Sequence, residues 1–411
     1  MGLKSLFYLL IVLTCIFLYY QNNVNPLFQH PRSKPIIFEK FHRSVDTNNI
    51  GNNSKKTTVA TVGYDNDFYR PLILAHRGSR YLLPENTVLA FKTAVDLGAD
   101  VIETDVRLTK DGVLVIHHDK LVDRTTNGVG DVENHTLEEL VALDAGYRFS
   151  PDNGTTFPYR GKGVKIPTTR QMFEQLDPSV QLNIEIKEND VAVADALWTE
   201  IERAFESSAR KPRSIVVSCR YCVPTLHIRK LAAEYAAKKG LDSRPITTSA
   251  CETDATRFVV LSQLYLAKLY YTLYPTFHFE SFQIPTNSGP IRLDTELFID
   301  AANYFGKHIH YWVINHKDEI NRVLDISNID GIISDRADRV AQIYKDRGIF
   351  SKSLVIPKPL PTNTTGTYFI PSIDIEEVHT CISLTCLALQ RIHHIILSII
   401  LTYIAYRVFK K

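Results

Sequence analysis

Short apolar runs alternate with stretches of helical periodicity between about Leu72 and Tyr344, and this alternation limits the fold more than any other feature of the chain. Repeated strand–helix alternation over roughly 270 residues is typical of a (β/α)8 barrel. The pattern therefore predicts a single α/β barrel over residues 71–345, with a doubly wound sheet as the structural alternative. The runs that predict strands are Leu72–His76, Val101–Leu108, Val113–His118, Gln181–Lys187, Ser214–Cys219, Ser281–Pro285, His310–Asn315 and Gly331–Ser334, with Pro245–Ser249 as a weaker ninth.

Acidic residues share one face of two predicted strands. Because side chains alternate along a strand, Glu103 and Asp105 point to the same side, into the predicted barrel. In a later strand the polar side chains, Glu185 among them, face inwards while Ile184 and Ile186 face the helices. Carboxylates this close together are unfavourable in a barrel interior unless they are paired, hydrogen-bonded or bound to a metal. Oxygen ligands suit Mg²⁺ or Ca²⁺, so the sequence predicts one divalent cation at these three carboxylates.

Two histidines stand where apolar strands become loops. His76 follows Leu72–Ala75, and His118 follows another apolar run. This is the end of the strands at which barrel enzymes place their chemistry. Arg77 and Lys187 lie beside the predicted metal ligands and can supply positive charge to a bound anion.

An ordered set of motifs from about residue 72 to residue 344 resembles the glycerophosphodiester phosphodiesterase family. The motifs are Ala75-His76-Arg77-Gly78, Pro84-Glu85-Asn86-Thr87, Glu103-Thr104-Asp105, Lys110-Asp111-Gly112, His118-Asp119, Ile166-Pro167-Thr168, Asn183-Ile184-Glu185-Ile186-Lys187, Trp312-Val313-Ile314-Asn315 and Asp330-Gly331-Ile332-Ile333-Ser334-Asp335. The resemblance implies a TIM barrel of the phospholipase C-like phosphodiesterase type. It also implies an insertion after the third strand, which here is residues 120–165.

The resemblance implies a phosphoric diester hydrolase that converts a glycerophosphodiester into sn-glycerol 3-phosphate and an alcohol, in glycerophospholipid metabolism. The family's metal ligands match Glu103, Asp105 and Glu185, and its acid/base pair matches His76 and His118. The family's His-Asp pair selects His118 rather than His117, which alternation turns to the opposite side. The residues that match phosphate- or substrate-binding positions are Arg77, Lys187 and Trp312.

The alcohol is not encoded by these motifs, and three functions stay open. A small-molecule glycerophosphodiester is the first. The apolar segment Phe258–Phe277 favours a second, a membrane lysophospholipase D acting on a lipid-like diester, if this segment is a helix near the pocket mouth rather than a buried barrel helix. A membrane-anchored barrel that only binds is the third, and it would lack a histidine or a carboxylate of the set.

Both ends of the chain, residues 1–20 and 382–411, are apolar and are predicted to meet membrane lipid. Leu6–Tyr20 carries no charge and follows Lys4, which predicts an uncleaved signal anchor rather than a cleaved signal peptide, since its end is bulky. The C-terminal segment is interpreted as a second transmembrane span, an amphipathic segment or a helix packed on the barrel. Polar linkers join both ends to the barrel, at residues 21–70 and 346–381.

Charge is distributed unevenly behind a formal net charge of +2. Residues 61–340 carry 32 basic and 39 acidic side chains, which argues against a nucleic-acid partner, whereas both ends are basic. If the basic ends are cytosolic, the barrel is lumenal or extracellular, on the ER, another endomembrane or the cell surface. Cys219 and Cys222 are read as a structural pair or as two free thiols. Four N-glycosylation acceptors agree with a lumenal barrel: Asn52, Asn134, Asn153 and Asn363.

Overall fold

Strands and helices alternate through the part of the chain that the computed structural model describes, residues 70–207, 210–289 and 291–349. The strands are β1 (Leu72–Ala75), β2 (Val101–Leu108), β3 (Leu114–Ile116), β4 (Gln181–Ile186), β5 (Ile215–Cys219), β6 (Thr247–Thr248), β7 (Ser281–Ile284), β8 (Asn287–Ser288), β9 (Ile291–Arg292), β10 (His308–Tyr311) and β11 (Gly331–Ser334). The helices are α1 (Val88–Asp96), α2 (Leu137–Ala142), α3 (Thr169–Gln175), α4 (Val191–Ser207), α5 (Cys222–Lys239), α6 (Glu252–Gln263), α7 (Ala267–Leu273), α8 (Glu296–Tyr304), α9 (Lys317–Leu324) and α10 (Ala337–Asp346).

Eight of these strands run parallel in the order β6-β5-β4-β2-β1-β11-β10-β7. An isolated parallel bridge between Ser249 and Ser281 brings the two ends of this order together. The predicted (β/α)8 barrel is therefore confirmed, and the open, doubly wound alternative does not account for that bridge. Because all eight strands are parallel, their carboxyl ends lie at one end of the barrel.

The predicted third strand, Val113–His118, does not belong to the barrel. Its residues form β3, which pairs antiparallel with β2, with Val106 opposite Ile116. The Lys110-Asp111-Gly112 turn is too short for a parallel crossover, which needs about a dozen residues or more. The weaker ninth candidate, Pro245–Ser249, supplies barrel strand β6 instead. The insertion at 120–165 consequently follows the β2–β3 hairpin rather than a third barrel strand.

Close packing between β1 and α1 fixes the first loop of the barrel. The side chain of Thr87 caps α1 by accepting a hydrogen bond from the backbone N–H of Ala90. Gly78 approaches this helix so closely that a Cβ atom there would lie 2.8 Å from the Cβ of Ala90, and its φ of +76° also favours glycine. The loop between β1 and α1, which carries Arg77 and Glu85, is thereby held at both ends.

The segment predicted as one apolar helix, Phe258–Phe277, consists of parts of α6 and α7 separated by a turn. Phe258 is fully buried, and its ring lies 4.7 Å from that of Phe282 and 5.2 Å from that of Tyr271. Phe258 therefore belongs to the core, whereas Leu264, Tyr265, Leu273 and Tyr274 of the same segment are exposed. Among the described residues, no helix is both long and apolar enough to cross a bilayer. The predicted anchor and C-terminal segment lie outside the described residues, and so do the predicted linkers except for residues 70 and 346–349.

A disulfide joins Cys222, the first residue of α5, to Cys251, which precedes α6. The sequence predicts either a Cys219–Cys222 pair or two free thiols, and both predictions were wrong for Cys222, which is bonded to Cys251. Cys219 is a free, buried thiol at the end of β5, where it points into the protein.

We expect Phe258→Ala to lower the free energy of unfolding by about 3–5 kcal/mol, since it removes a fully buried ring from an aromatic cluster. Chemical denaturation of the full-length protein measures this change. Leu273→Ala is the matched control from the same segment, and we expect a change within about 0.5 kcal/mol because Leu273 is 63% exposed. Equal losses for the two variants would contradict the packing described above.

Candidate active site

Three carboxylates meet at the carboxyl ends of β2 and β4. The parallel register places Asp105 beside Glu185 and Glu103 beside Asn183. One oxygen from each of Glu103, Asp105 and Glu185 lies within 4.8 Å of the other two. Glu103 and Asp105 are buried, and Glu185 is partly exposed. These three residues form a group of oxygen donors open to the barrel mouth on one side.

Electrostatics within this carboxylate cluster is unfavourable for Glu103. Burial and the neighbouring charges of Asp105 and Glu185 raise the pKa of Glu103 well above its ordinary value. Burial also opposes ionisation of Asp105, but Lys187 and Arg77 outweigh it and lower the pKa of Asp105. An oxygen-only donor set with excess negative charge fits a hard divalent cation such as Mg²⁺ or Ca²⁺.

Lys187 and Arg77 bring positive charge to the cluster. The Nζ atom of Lys187 lies 3.1 Å from Asp105 Oδ1 and 3.1 Å from Glu185 Oε1. Arg77 donates its backbone N–H to Glu103 Oε2 at 2.8 Å, and its Nε lies 3.4 Å from Asp105 Oδ2. Both cations predicted to contact phosphate therefore stand directly against the carboxylates.

His76 stands at the end of β1 between the cluster and the last strand. Its Nδ1 lies 2.5 Å from Asp335 Oδ1, and its Nε2 lies 4.0 Å from Glu103 Oε2. Hydrogen bonds from His76 and from Asn315 help lower the pKa of Asp335 against the effect of burial, so Asp335 is ionised and accepts from Nδ1. Burial lowers the pKa of His76, which favours the neutral ring with a free Nε2.

His118 is held through a chain of ion pairs that begins in the loop after β1. His118 Nδ1 lies 2.6 Å from Asp119 Oδ1, and Arg124 pairs with Asp119 at 2.5 Å. Arg124 also makes two hydrogen bonds of 2.7 Å to Glu85, which accepts a third at 2.9 Å from Arg77. Burial opposes ionisation of Glu85, but these arginines lower its pKa to about 2. The insertion thus fixes His118 through Arg124.

The structure brings together most of the residues that the sequence predicts for the site. Adjacent His117 is buried and its Nε2 lies 3.2 Å from the carbonyl oxygen of Leu121, away from solvent. Trp312 follows β10 and is 41% exposed at the same end of the barrel.

Sequence reasoning did not assign roles to several residues that orient the site. Asn86 donates to Asp105 Oδ2 at 2.8 Å, and Asn315 donates to Asp335 Oδ2 at 2.8 Å. Each stands inside a motif that carried the family resemblance, at a strand end or in the loop that follows. Their place in these motifs, at or just after a strand end, was the sequence signal that could have identified them as site residues. The residues concerned are Glu85, Asn86, Asp119, Asn315 and Asp335.

Comparison with known proteins agrees with this geometry. The model of the glycerophosphoryl diester phosphodiesterase family matches residues 76–339, which contain every site residue described above. The chain belongs to this family. A glycerophosphodiester phosphodiesterase of Caldanaerobacter subterraneus is 31% identical over 280 residues, covering 68% of this chain and 100% of that protein. One from Bacillus altitudinis is 42% identical over 147 residues, covering 36% of this chain and 57% of its own.

Solved structures agree on the fold of this glycerophosphodiester phosphodiesterase family member. A crystal structure of a glycerophosphodiester phosphodiesterase from Agrobacterium tumefaciens covers 66% of this chain and all of its own, with a TM-score of 0.50 and 24% identity. The predicted family and the predicted class of enzyme, a phosphoric diester hydrolase, are confirmed.

We expect Asp335→Asn to lower kcat at least ~10-fold with little change in KM, because the amide no longer holds the Nδ1 proton of His76 as an ionised carboxylate does. Steady-state kinetics on a glycerophosphodiester measures both constants. Asp338→Asn is the control, since that carboxylate pairs with Arg336. A rise in KM alone, or equal effects of the two variants, would contradict a role in orienting His76.

Proposed function

We propose that this protein hydrolyses glycerophosphodiesters to sn-glycerol 3-phosphate and an alcohol. The observation that carries the proposal is the carboxylate cluster flanked by two histidines, each bonded to its own aspartate. Relatives that match over most of this chain are glycerophosphodiester phosphodiesterases by name. The same arrangement disfavours a barrel that only binds, because no histidine or carboxylate of the set is missing.

We propose that Glu103, Asp105 and Glu185 hold one divalent cation. A cation bound there would draw charge from the phosphoryl oxygens and orient the diester. Lys187 and Arg77 add positive charge beside the same carboxylates, and Arg77 has the planar guanidinium that suits phosphate. Charge developing on the phosphoryl group would therefore meet fixed positive groups of the chain.

The two histidines supply the proton transfers. His76 is the more buried, with 12% of its side chain exposed against 29% for His118. Its Nε2 is free to accept a proton from the nucleophile, which is water or the glycerol hydroxyl of the substrate. If the hydroxyl attacks, the cyclic phosphate that forms must then be opened by water to give sn-glycerol 3-phosphate. His118 gives a proton to the alcohol oxygen as the bond between that oxygen and phosphorus breaks. Asp335 accepts the Nδ1–H of neutral His76, and Asp119 accepts the Nδ1–H of His118, which acts in its protonated form and gives the proton from Nε2.

We expect His76→Ala and His118→Ala each to reduce turnover by about 10²–10⁴-fold, because each removes one proton-transfer group. Release of sn-glycerol 3-phosphate from glycerophosphocholine is measured with purified full-length protein, with and without EDTA. His135→Ala is a matched control, since that histidine binds a backbone carbonyl of the insertion. An unchanged rate of hydrolysis in the presence of EDTA would contradict the proposed divalent cation. Wild-type rates in both variants would contradict the proposed roles of the two histidines.

Lysophosphatidylcholine belongs in the same assay. A membrane lysophospholipase D is supported by the apolar ends of the sequence and by the exposed side chains of Leu273 and Tyr274, although Phe258 of the same segment packs in the core. Release of choline from lysophosphatidylcholine at a rate above that for glycerophosphocholine would favour this second function.

We also propose that the barrel lies in an oxidising compartment, lumenal or extracellular, with the apolar ends at a membrane. The Cys222–Cys251 disulfide supports this, since such bonds are rare in reducing cytosol. The glycosylation acceptors Asn134 and Asn153 are both exposed, as modification requires.

We expect protein extracted from cells under thiol-blocking conditions to yield a peptide linked through Cys222 and Cys251 in mass spectrometry. Cys219 is the internal control, because its buried thiol should react only after unfolding. Alkylation of Cys222 and Cys251 in the native protein without a reductant would contradict the proposed compartment.

A further inference from the structure

Arg80 stands beside the aspartate that binds His76, and it takes no part in the two proton transfers. Its Nε atom lies 2.9 Å from Oδ1 of Asp335, the same oxygen that lies 2.5 Å from Nδ1 of His76. Asn315 donates to the other oxygen, Oδ2, at 2.8 Å. A neutral histidine and an amide bring no net charge to this carboxylate. Among the described residues, Arg80 is therefore the permanent cation that pairs with Asp335.

Burial determines how much this ion pair matters. Only 1% of the Asp335 side chain is exposed, whereas 29% of the Arg80 side chain is exposed. An ion pair between two exposed side chains contributes little, because water and salt screen it. A buried carboxylate is different, since its negative charge is unfavourable unless donors and cations surround it. The positive charge of Arg80 is among the causes that lower the pKa of Asp335 against the effect of burial.

A strained turn after β1 brings Arg80 to this position. Arg77 and Ser79 have φ values of 51° and 69°, in the left-handed region that arginine and serine rarely adopt. The backbone N–H groups of Ser79 and Arg80 close the turn by donating to the carbonyl oxygen of His76 at 2.9 and 3.3 Å. Backbone strain of this kind is retained where the surrounding structure holds it, and it concentrates at functional sites. The turn thus ties Arg80 to the histidine whose aspartate it contacts.

The next residue ties the same loop to the backbone of Asp335. The N–H of Tyr81 donates to the carbonyl oxygen of Asp335 at 3.4 Å. The guanidinium carbon of Arg80 lies 5.4 Å from the centre of the Tyr81 ring, a distance at which a cation and an aromatic face attract each other. Adjacent residues of one loop therefore contact both the side chain and the backbone of Asp335, which limits how far its carboxylate can turn.

The second histidine of the site has a similar arrangement. One oxygen of Asp119 lies 2.6 Å from Nδ1 of His118, and the other lies 2.5 Å from Nε of Arg124. Each histidine is thus bonded to an aspartate, and each aspartate is paired with an arginine, although the two sets come from different loops. This repetition favours a shared role for the two arginines over a chance surface contact of Arg80.

We propose that Arg80 is a positioning residue that holds the Asp335 carboxylate in place as the acceptor for the Nδ1–H of His76. The proposal rests on the proposed function, in which Nε2 of His76 accepts the proton of the nucleophile. Arg80 acts through Asp335 and does not contact the reacting atoms. Without its charge the buried carboxylate loses the cation that compensates it, so the imidazole ring loses a fixed acceptor and the orientation of its Nε2.

A double-mutant cycle on the full-length protein tests whether Arg80 acts through Asp335. We expect Arg80→Met to lower kcat for glycerophosphocholine ~10-fold with KM within ~2-fold of the wild type, and Arg80→Lys, which keeps the charge, to retain at least about half of the wild-type kcat. In the Asp335→Asn background we expect Arg80→Met to lower kcat by less than ~2-fold more, because its partner is already neutral.

Arg347→Met is the matched control for this cycle. Arg347 is 31% exposed and pairs at 2.8 Å with Asp325, at the carboxyl ends of α9 and α10, and its kcat should stay at the wild-type value. Equal losses from Arg80→Met in the two backgrounds would overturn the proposal, because Arg80 would then act independently of Asp335. A rise in KM alone would overturn it too, because Arg80 would then bind substrate directly.

A measurement without turnover separates this proposal from the proposed function. In full-length protein labelled with ¹⁵N-histidine, NMR detects the hydrogen-bonded Nδ1–H groups of His76 and His118, which are assigned by their loss in His76→Ala and His118→Ala. We expect Arg80→Met to shift or weaken the His76 signal and to leave the His118 signal, the internal control, unchanged.

A His76 signal that is absent from the wild type, or unchanged by Arg80→Met, would overturn the proposal whether or not the protein hydrolyses glycerophosphodiesters. A signal that changes as expected, in a protein whose wild type hydrolyses none of these diesters, would support the positioning of His76 by Arg80 and overturn the proposed function instead.

Discussion

Repulsion among three carboxylates at the barrel mouth is the constraint that shapes the surrounding site. Glu103 and Asp105 are buried on one strand, and Glu185 faces them from the next. Such a group is tolerated in a protein interior only when donors and cations surround it. Lys187, Arg77 and Asn86 do this, each from a different position along the chain. The raised pKa of Glu103 shows that these groups compensate the charge only in part, which is the condition a divalent cation relieves.

The same constraint gives the insertion a role in the site. Arg77 is divided between Asp105 and Glu85, and Glu85 in turn binds Arg124 of the insertion. Arg124 orients Asp119, the partner of His118. Positive charge that stabilises the carboxylates is thus linked, through alternating ion pairs, to the position of a histidine outside the barrel strands. A substitution in the insertion can therefore alter the position of His118 without contacting the carboxylates.

Side-chain alternation along one strand was enough to predict the core of the site. Which segments of the sequence become barrel strands was harder to predict. Side-chain alternation placed Glu103 and Asp105 on one face, and the same rule places Arg107 there as well. Val113–His118 was as apolar as a barrel strand, yet the short turn before it only permits an antiparallel hairpin. Thr247–Thr248, the true barrel strand, is two residues long and polar, so its local pattern predicted only a weaker ninth strand. Its place comes from pairing with its neighbours.

Residues that orient other residues were the least predictable part. Asp335 lies 259 positions from His76 in the sequence, and only closure of the barrel places their side chains 2.5 Å apart. Cys222 likewise found its partner in Cys251, across 29 residues, rather than in nearby Cys219. Pairings of this kind depend on which strands become neighbours, so a sequence pattern can indicate the residue types but not the pairs.

The family motifs account for one part of the reaction. His76, the carboxylates and Asp335 all stand within the family motifs, and they account for cleavage of a phosphodiester. Cleavage can therefore be inferred from a family resemblance, whereas the alcohol cannot, because the motifs do not encode it. Loops on one side of a common barrel are enough to give the same chemistry a different substrate.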